Sequence, residues 1–481
     1  VFGITTATCG YGAMMPAAAF ASFSHRGYRR FWLGGVTANS ARWFQYVALP
    51  AVIWDLTSSA AWVGMAGFSQ FAAMALMAPV AGVVADRHQR RKILMISQSL
   101  MGLIAAVMAL VWMQGVRSPS AYLALAGAAG LLGGVNLPVW QAFVSELVPR
   151  ELLLNAVTLN SAQFNSSRLI GPMLGGVTVA GAGPSVAFVV SAAGALVVVL
   201  VLARIESNTP ITTTNGVSMR LVSNIADTVR YVRARRSLRV AFTAAALIGA
   251  LGLPIQVMTV VFAEDVFNRG PGGFGLMLTM VGIGAVATAP LVASLGGRVP
   301  RSRIVRVSLR LYGVAVAALA LAPTFVTYLL PLMLIGAAHL AAASSLNTAI
   351  QLQVDEARRT QVMSLYVMVL MASNPLGQLM LGQITEMLGP RPAFGVYGVL
   401  LITAAVLLHM RGWLRHLDME VASPAGKPAC DGSAGAACGD AGVVDAACGD
   451  AGAACGDAGD ADPACSDLVQ GNSGESSAPL R

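Results

Sequence analysis

The densest run of chemistry-bearing side chains is 82–92, Gly-Val-Val-Ala-Asp-Arg-His-Gln-Arg-Arg-Lys. Asp86 can accept hydrogen bonds from a neighbouring helix N-terminus, where free N–H groups favour an anion. Arg87, Arg90 and Arg91 can bridge to acidic groups across a gate, and Gly82 admits close helix approach. Membrane topology alone would account for the cations but not for the Gly-x-x-x-Asp spacing. Two other arginines, Arg42 and Arg168, are read as lying deep within apolar runs. At ~1.5 Å of rise per residue, Arg42 lies near the middle of the first run. Asn39, Arg42, Gln45 and Tyr46 share one helix face by i, i+3 and i+7 spacing. Arg168 sits deep in the fifth run, beside Asn160, Gln163, Asn165 and Ser167. No Asp or Glu lies in the middle of any run; Asp55, Glu146, Glu264 and Glu386 stand at or near the ends. Deep arginines without a carboxylate can receive an anionic or electron-rich group of a small molecule, or can bond to carbonyls and amides of the bundle.

His339 is the one mid-run side chain of a type that titrates ordinarily near neutral pH, which suits a proton relay or a hydrogen-bonded packing role. Asn136, Gln141, Gln256, Asn347, Gln351, Asn374 and Gln378 are amides available to a polar pathway or to helix–helix bonding. Gly171, Pro172, Gly175 and Gly176 combine small residues for tight contact with a proline that loosens the helical ladder. No G-x-x-x-x-G-K-[ST] phosphate loop and no nucleophile–base constellation occurs, so neither an ATPase engine nor an enzyme is expected. No metal site or cofactor is expected: the five tail cysteines, Cys430, Cys438, Cys448, Cys455 and Cys465, form no C-x-x-C pair.

The elements that must position these groups follow from composition. Of 481 residues, 56% are hydrophobic and 11% charged, against about 25% charged in a soluble domain. Twelve apolar runs fall at about 31–54, 61–84, 93–114, 120–144, 154–180, 184–204, 238–262, 272–295, 304–323, 327–350, 360–387 and 392–412. Each is long enough to cross a bilayer as a helix. The fold class expected is an all-α membrane protein of twelve transmembrane helices in two six-helix pseudo-repeats. Arg and Lys in the connections crowd one side, leaving only Arg117, Arg269 and Arg391 on the other. Both termini are therefore expected in the cytoplasm and the chain in the inner membrane. Cations in short loops suit topology better than nucleic-acid binding. The expected organisation is a cytoplasmic segment 1–27, six helices over 28–204, a cytoplasmic loop 205–237, six helices over 238–412 and a disordered acidic tail 413–481. Residues 416–481 hold half of the 22 acidic residues and repeat Ala-Cys-Gly-Asp-Ala-Gly. The chain opens at Val1, with a non-AUG start or initiation at Met14 or Met15 both open. Residues 1–24 carry no cation of the kind a signal peptide would need.

The segment 82–92 resembles the loop signature G-x-x-x-D-R-x-G-R-R of the major facilitator superfamily. "RRFWLGGVTANSARWFQYVALPAVIWDLTSSA" (29–60), "WQAFVSELVPRELLLNAVTLNSAQFNSSRLIGPMLGG" (140–176) and "MSLYVMVLMASNPLGQLMLGQITEMLG" (363–389) are similar to its branch of enterobactin and macrolide exporters. The resemblance implies a secondary transporter exporting a small amphipathic molecule, such as a drug, an antibiotic or a siderophore, by alternating access. It implies exchange for protons driven by the proton-motive force, and function as a monomer. Gly82, Asp86, Arg87, Arg90 and Arg91 would stabilise one end-state of that cycle, and Gly171, Pro172, Gly175 and Gly176 match an antiporter element. Gln89 replaces a glycine of the signature, span four has no arginine, and 354–362 departs from the R-G-R-V pattern. Two alternatives stand beside this: a dedicated siderophore exporter, and a membrane sensor or scaffold that uses the acidic tail.

Overall fold

The computed structural model describes residues 20–205, 221–295 and 298–418. Within them the protein is built from helices, with no strand. Twelve long helices and one short one follow in order: α1 (Arg26–Thr57), α2 (Ala60–Arg87), α3 (Arg90–Met113), α4 (Pro119–Val144), α5 (Leu153–Ala182), α6 (Pro184–Ala203), the short α7 (Leu221–Ala234), α8 (Arg236–Val266), α9 (Gly270–Leu295), α10 (Arg301–Leu321), α11 (Phe325–Gln353), α12 (Glu356–Leu388) and α13 (Pro390–Met410). Ten of these are long and apolar enough to cross a membrane. The two left out of that ten, α1 and α5, are 32 and 30 residues long. They carry the polar stretches around Arg42 and Arg168, so their lower hydropathy comes from the residues of the candidate site.

Local chemistry sets the ends. Ser59 Oγ accepts from the Trp62 amide at the start of α2, and Thr324 and Thr327 form a reciprocal cap on α11. The α5–α6 and α12–α13 connections are the same two-residue device. Gly183 and Gly389 take φ of 86° and 85°, and Pro184 and Pro390 follow at the first helical position. Only glycine enters that backbone region without strain, and proline at the helix start loses no needed donor.

Four of the packing pairs of α1–α6 recur in α8–α13. The pairs α1 with α5, α2 with α4, α3 with α4, and α3 with α6 correspond to α8 with α12, α9 with α11, α10 with α11, and α10 with α13. Two seams join the sets, α2 against α12 and α5 against α9. Both rely on glycine. A Cβ on Gly64 would stand 2.5 Å from the Gln378 carbonyl oxygen and 3.0 Å from Gly382 Cα, and one on Gly176 would stand 2.9 Å from Gly275 Cα. Glu386 completes the first seam by accepting from Ser59 Oγ at 2.9 Å and the Ala61 amide at 3.2 Å. These contacts lie towards the arginine-poor end of the four helices. Towards the arginine-rich end, Leu76 of α2, Leu154 of α5, Leu291 of α9 and Val367 of α12 are exposed.

Helix α8 is irregular, with π-turns at Ile248–Gly252 and Phe262–Val266 on either side of Pro254. Proline cannot donate to the carbonyl four residues back. The Ala250 carbonyl instead faces Gly377, where a Cβ would stand 1.9 Å from the oxygen.

Two boundaries differ from expectation. The segment 205–237 contains helix α7. The tail does not begin at 413: Trp413–Asp418 forms a 3₁₀ turn with Leu414 and Leu417 buried. Asp418 accepts from the Ser302 amide at 2.9 Å and from its hydroxyl, and Gln353 donates to the Leu417 carbonyl. Two leucines spaced by three residues give this stretch an apolar side to bury, which the Ala/Gly/Asp repeat lacks. Residues 419–481 lie outside the described part, as do 1–19 and 206–220.

Candidate functional site

A cavity of about 310 Å³ opens among α1, α2, α3, α4 and α5. Asn39, Arg42, Gln45 and Tyr46 of α1 and Asn165 and Arg168 of α5 all line it, so the structure brings together six of the residues singled out by spacing. Trp43 and Tyr46 meet at a tilt of 49° beside Arg42, ring centroids 5.4 Å apart. Arg42 makes no hydrogen bond or ion pair with any described residue, and the lining holds no carboxylate. Its guanidinium therefore presents unused donors to the cavity.

Arg168 is placed differently. Its Nη2 donates to Gln256 Oε1 of α8 at 3.2 Å, so it spans from the first six helices to the second. It also lies within electrostatic reach of Tyr312 and His339. His339 of α11 meets Tyr312 edge-on at 6.3 Å, and its Nδ1 is buried without a partner. His339 is not part of the cavity lining; it sits behind Arg168, on the α8–α13 side.

The remaining amides divide by role. Gln45 is anchored, donating to Met108 Sδ and accepting from Ser191. Asn136 donates to Ser97 Oγ at 2.8 Å and ties α4 to α3. Gln351 donates to Asn347 on the same helix, and Gln141 is exposed. Asn374 is buried with its Oδ1 unpaired. Gln378 is fully buried in the α2–α12 seam against Gly67, and neither end of its amide has a partner.

The G-P-x-x-G-G element packs two ways. Gly171 and Gly175 receive Trp43 and the Phe44 backbone of α1, while Gly176 meets Gly275 of α9. A Cβ on Gly171 would stand 2.6 Å from Trp43 Cβ, so this glycine sets how close the aromatic wall stands to α5.

In the 82–92 signature, Arg90 pairs with Glu146 at 2.8 Å. Arg91 donates to the Leu202 and Ala203 carbonyls at the end of α6, the favourable place for a cation at a helix C-terminus. Both contacts stay within α1–α6, where the spacing suggested bridges across a gate. Arg87 is exposed. The surroundings of Gly82 and the side chain of Asp86 lie outside the described part.

Spacing arguments missed Gln70 and Met74 of α2, Met101 of α3 and Phe164 of α5, which also line the cavity. Gln70 could have been found as the lone amide in the otherwise apolar α2. The two methionines carry no sequence signal, but their flexible thioethers adapt a wall to different shapes.

A family model described as transmembrane secretion effector matches residues 17–430. The staphyloferrin A transporter of Staphylococcus aureus is 21% identical over 79% of this chain and 94% of its own length. The enterobactin exporter EntS of Citrobacter koseri is 25% identical over 79% and 91%, and the multidrug efflux pump Tap of Mycobacterium tuberculosis is 24% identical over 76% and 90%. Among solved structures, the inward-facing, unoccupied bacterial homologue of the human lysosomal transporter Spinster superposes with a TM-score of 0.67 at 15% identity, over 85% of this chain and all of its own. With its long apolar helices, its paired seams and a match spanning most of its length, the chain is a multi-pass membrane protein of the transmembrane secretion effector family of major facilitator transporters.

Proposed function

We propose that this transporter exports a small amphipathic molecule bearing an anionic or electron-rich group, by alternating access and in exchange for protons. The observation that carries the reading is Arg42, an unpartnered guanidinium in a cavity walled by Trp43, Tyr46, Met74 and Met101. A cation among aromatic and thioether surface suits a ligand with one negative or hydrogen-bond-accepting group on an apolar body. The twelve long helices are read as twelve spans in two six-helix halves, 28–204 and 238–412, which the recurring packing pairs support. Both termini are placed in the cytoplasm of a cell whose inner membrane holds the protein as a monomer. In that orientation the glycine seams close the outer side, and the conformation faces inward. Arg168, bonded to Gln256 across the halves, is the group through which occupancy of the cavity would be felt by the other half. His339, behind it, is the candidate proton carrier.

A dedicated siderophore exporter is the sharper form of this reading. Two deep arginines and no carboxylate favour it, as do relatives named for staphyloferrin A and enterobactin. The test is transport in inverted membrane vesicles with an imposed proton gradient and a panel of antibiotics, dyes and siderophores. Gradient-dependent accumulation of one class is expected. Arg42→Ala should abolish it for anionic compounds while sparing neutral ones. Accumulation that ignores the gradient, or an Arg42→Ala loss independent of substrate charge, would overturn the coupling or the arginine assignment respectively.

A further inference from the structure

The arginine-rich ends of α10 and α13 carry a second group of cations that have no acceptor among the described residues. The described ion pairs are Arg90–Glu146, Arg230–Asp227 and Arg235–Asp355. None engages Arg306, Arg310 or Arg415. The Nε atoms of Arg306 and Arg310 are buried with no partner, and no described residue accepts from their terminal nitrogens. The carboxylate at this end of α10, Asp418, is held by Ser302.

Register brings these groups together. Gly313 of α10 packs on Ile402 and the Gly398 backbone of α13. One and two turns towards the arginine-rich end, Arg310 and Arg306 run alongside the last turns of α13, which carry His409. His409 lies within electrostatic reach of Arg306, Arg310 and Arg415. Arg310 stands nine residues beyond Arg301, roughly 14 Å along the helix. Side chains lean towards a helix's own N-terminus, so Arg310 turns back towards the arginine-rich end. The surroundings are apolar and open: Val307 and Val314 of α10 and Leu407 and Met410 of α13 are exposed. Just beyond, Arg411 lies 5.4 Å from the Trp413 ring, a pairing suited to the membrane–water boundary.

We propose that Arg306, Arg310 and Arg415, beside His409, form a binding site for the anionic phosphodiester headgroup of a membrane lipid. The phosphate would meet two guanidinium groups that have no carboxylate partner among the described residues, and the acyl chains would cover the exposed valines and leucine below. The acidic tail is the competing occupant. To reach Arg310 its aspartates would have to leave water among Val307, Val314 and Leu407, whereas a lipid brings hydrocarbon to that surface.

The full chain should be purified in mixed phosphatidylcholine and phosphatidylglycerol and weighed by native mass spectrometry. Phosphatidylglycerol should be retained over phosphatidylcholine. Retention should fall about fivefold for each guanidinium removed in Arg306→Gln and Arg310→Gln. Arg415→Gln, at an exposed position, gives the same comparison should either of these variants fail to assemble. Unchanged retention in these variants would overturn the site. Displacement of the lipid by millimolar inorganic phosphate would show a free-anion site instead. A full-length chain with Asp440, Asp445, Asp450, Asp457, Asp460, Asp462 and Asp467 changed to Asn supplies the last arm. If it retained phosphatidylglycerol that the unaltered chain does not, the tail would be the occupant and the lipid assignment would fall.

Discussion

Among single residues, Arg42 and Arg90 show how one side-chain type serves two ends. Arg90 meets Glu146, whose side chain is 8% exposed, so that pair is half-desolvated and worth more than a surface pair. A double-mutant cycle of Arg90→Ala and Glu146→Ala should give a coupling of about 1 kcal/mol in thermal unfolding. Arg42 has no such partner, and its truncation should leave stability nearly unchanged. It should weaken binding of an anionic ligand by about tenfold or more, the scale of one hydrogen bond to a charged group, measurable by equilibrium titration in detergent. Asp355 supplies a pH signature outside the spans. The Tyr231 hydroxyl, hydrogen-bonded at 3.0 Å, and then the Arg235 and Arg358 charges hold its carboxyl below the usual range. A depressed carboxylate stabilises the fold above its unfolded pKa, about 3.9, and that contribution is lost as pH falls through the lower folded value. The Tyr231–Asp355 tie of α7 should therefore hold from neutral pH to about pH 4. Hydrogen exchange in 226–234 should rise only below that, and Tyr231→Phe should move the rise to higher pH.

Between helices, the glycine seams decide which ends of α2, α5, α9 and α12 can meet. A side chain at Gly176 would collide with backbone, at 2.7 Å from the Pro271 oxygen, so the neighbouring helix could not yield by a rotamer change. Gly176→Val should push apart the arginine-poor ends, seen as a longer distance between spin labels at Asp55 and Met387, with transport lost. The spacing of apolar runs found every long helix, because a bilayer demands some 20 apolar residues whatever packs inside. It also found the shared face of Asn39, Arg42 and Tyr46, because 3.6-residue periodicity is strict. What it could not find has a common cause. The π-turns of α8, the burial of Leu414 and Leu417, and the α10 cations depend on which helix lies alongside. Arg310 reads as one more polar interruption until α13 is placed beside it. The division of Arg168 from Arg42, one bonded across the halves and one free, likewise needs Gln256, 88 residues away.

At the level of the whole molecule, a transporter needs its membrane body and not its tail. A chain ending after Asp418 keeps Leu414, Leu417 and the Asp418–Ser302 contact, and should retain gradient-driven transport; loss of all activity would favour a sensor acting through 419–481. The alternating access proposed above requires the molecule to leave the conformation described, and Gln378 would bear on how readily it does. Its amide is sealed into the α2–α12 seam with no hydrogen-bonding partner at either end, a penalty of about 1–3 kcal/mol for a buried polar group. Opening the seam lets water reach that amide and refunds the penalty. Under the alternating access proposed above, Gln378 would act as a bias against resting too long in the closed-seam state. Gln378→Leu should raise the melting temperature and slow turnover together, so that the more stable protein is the poorer pump.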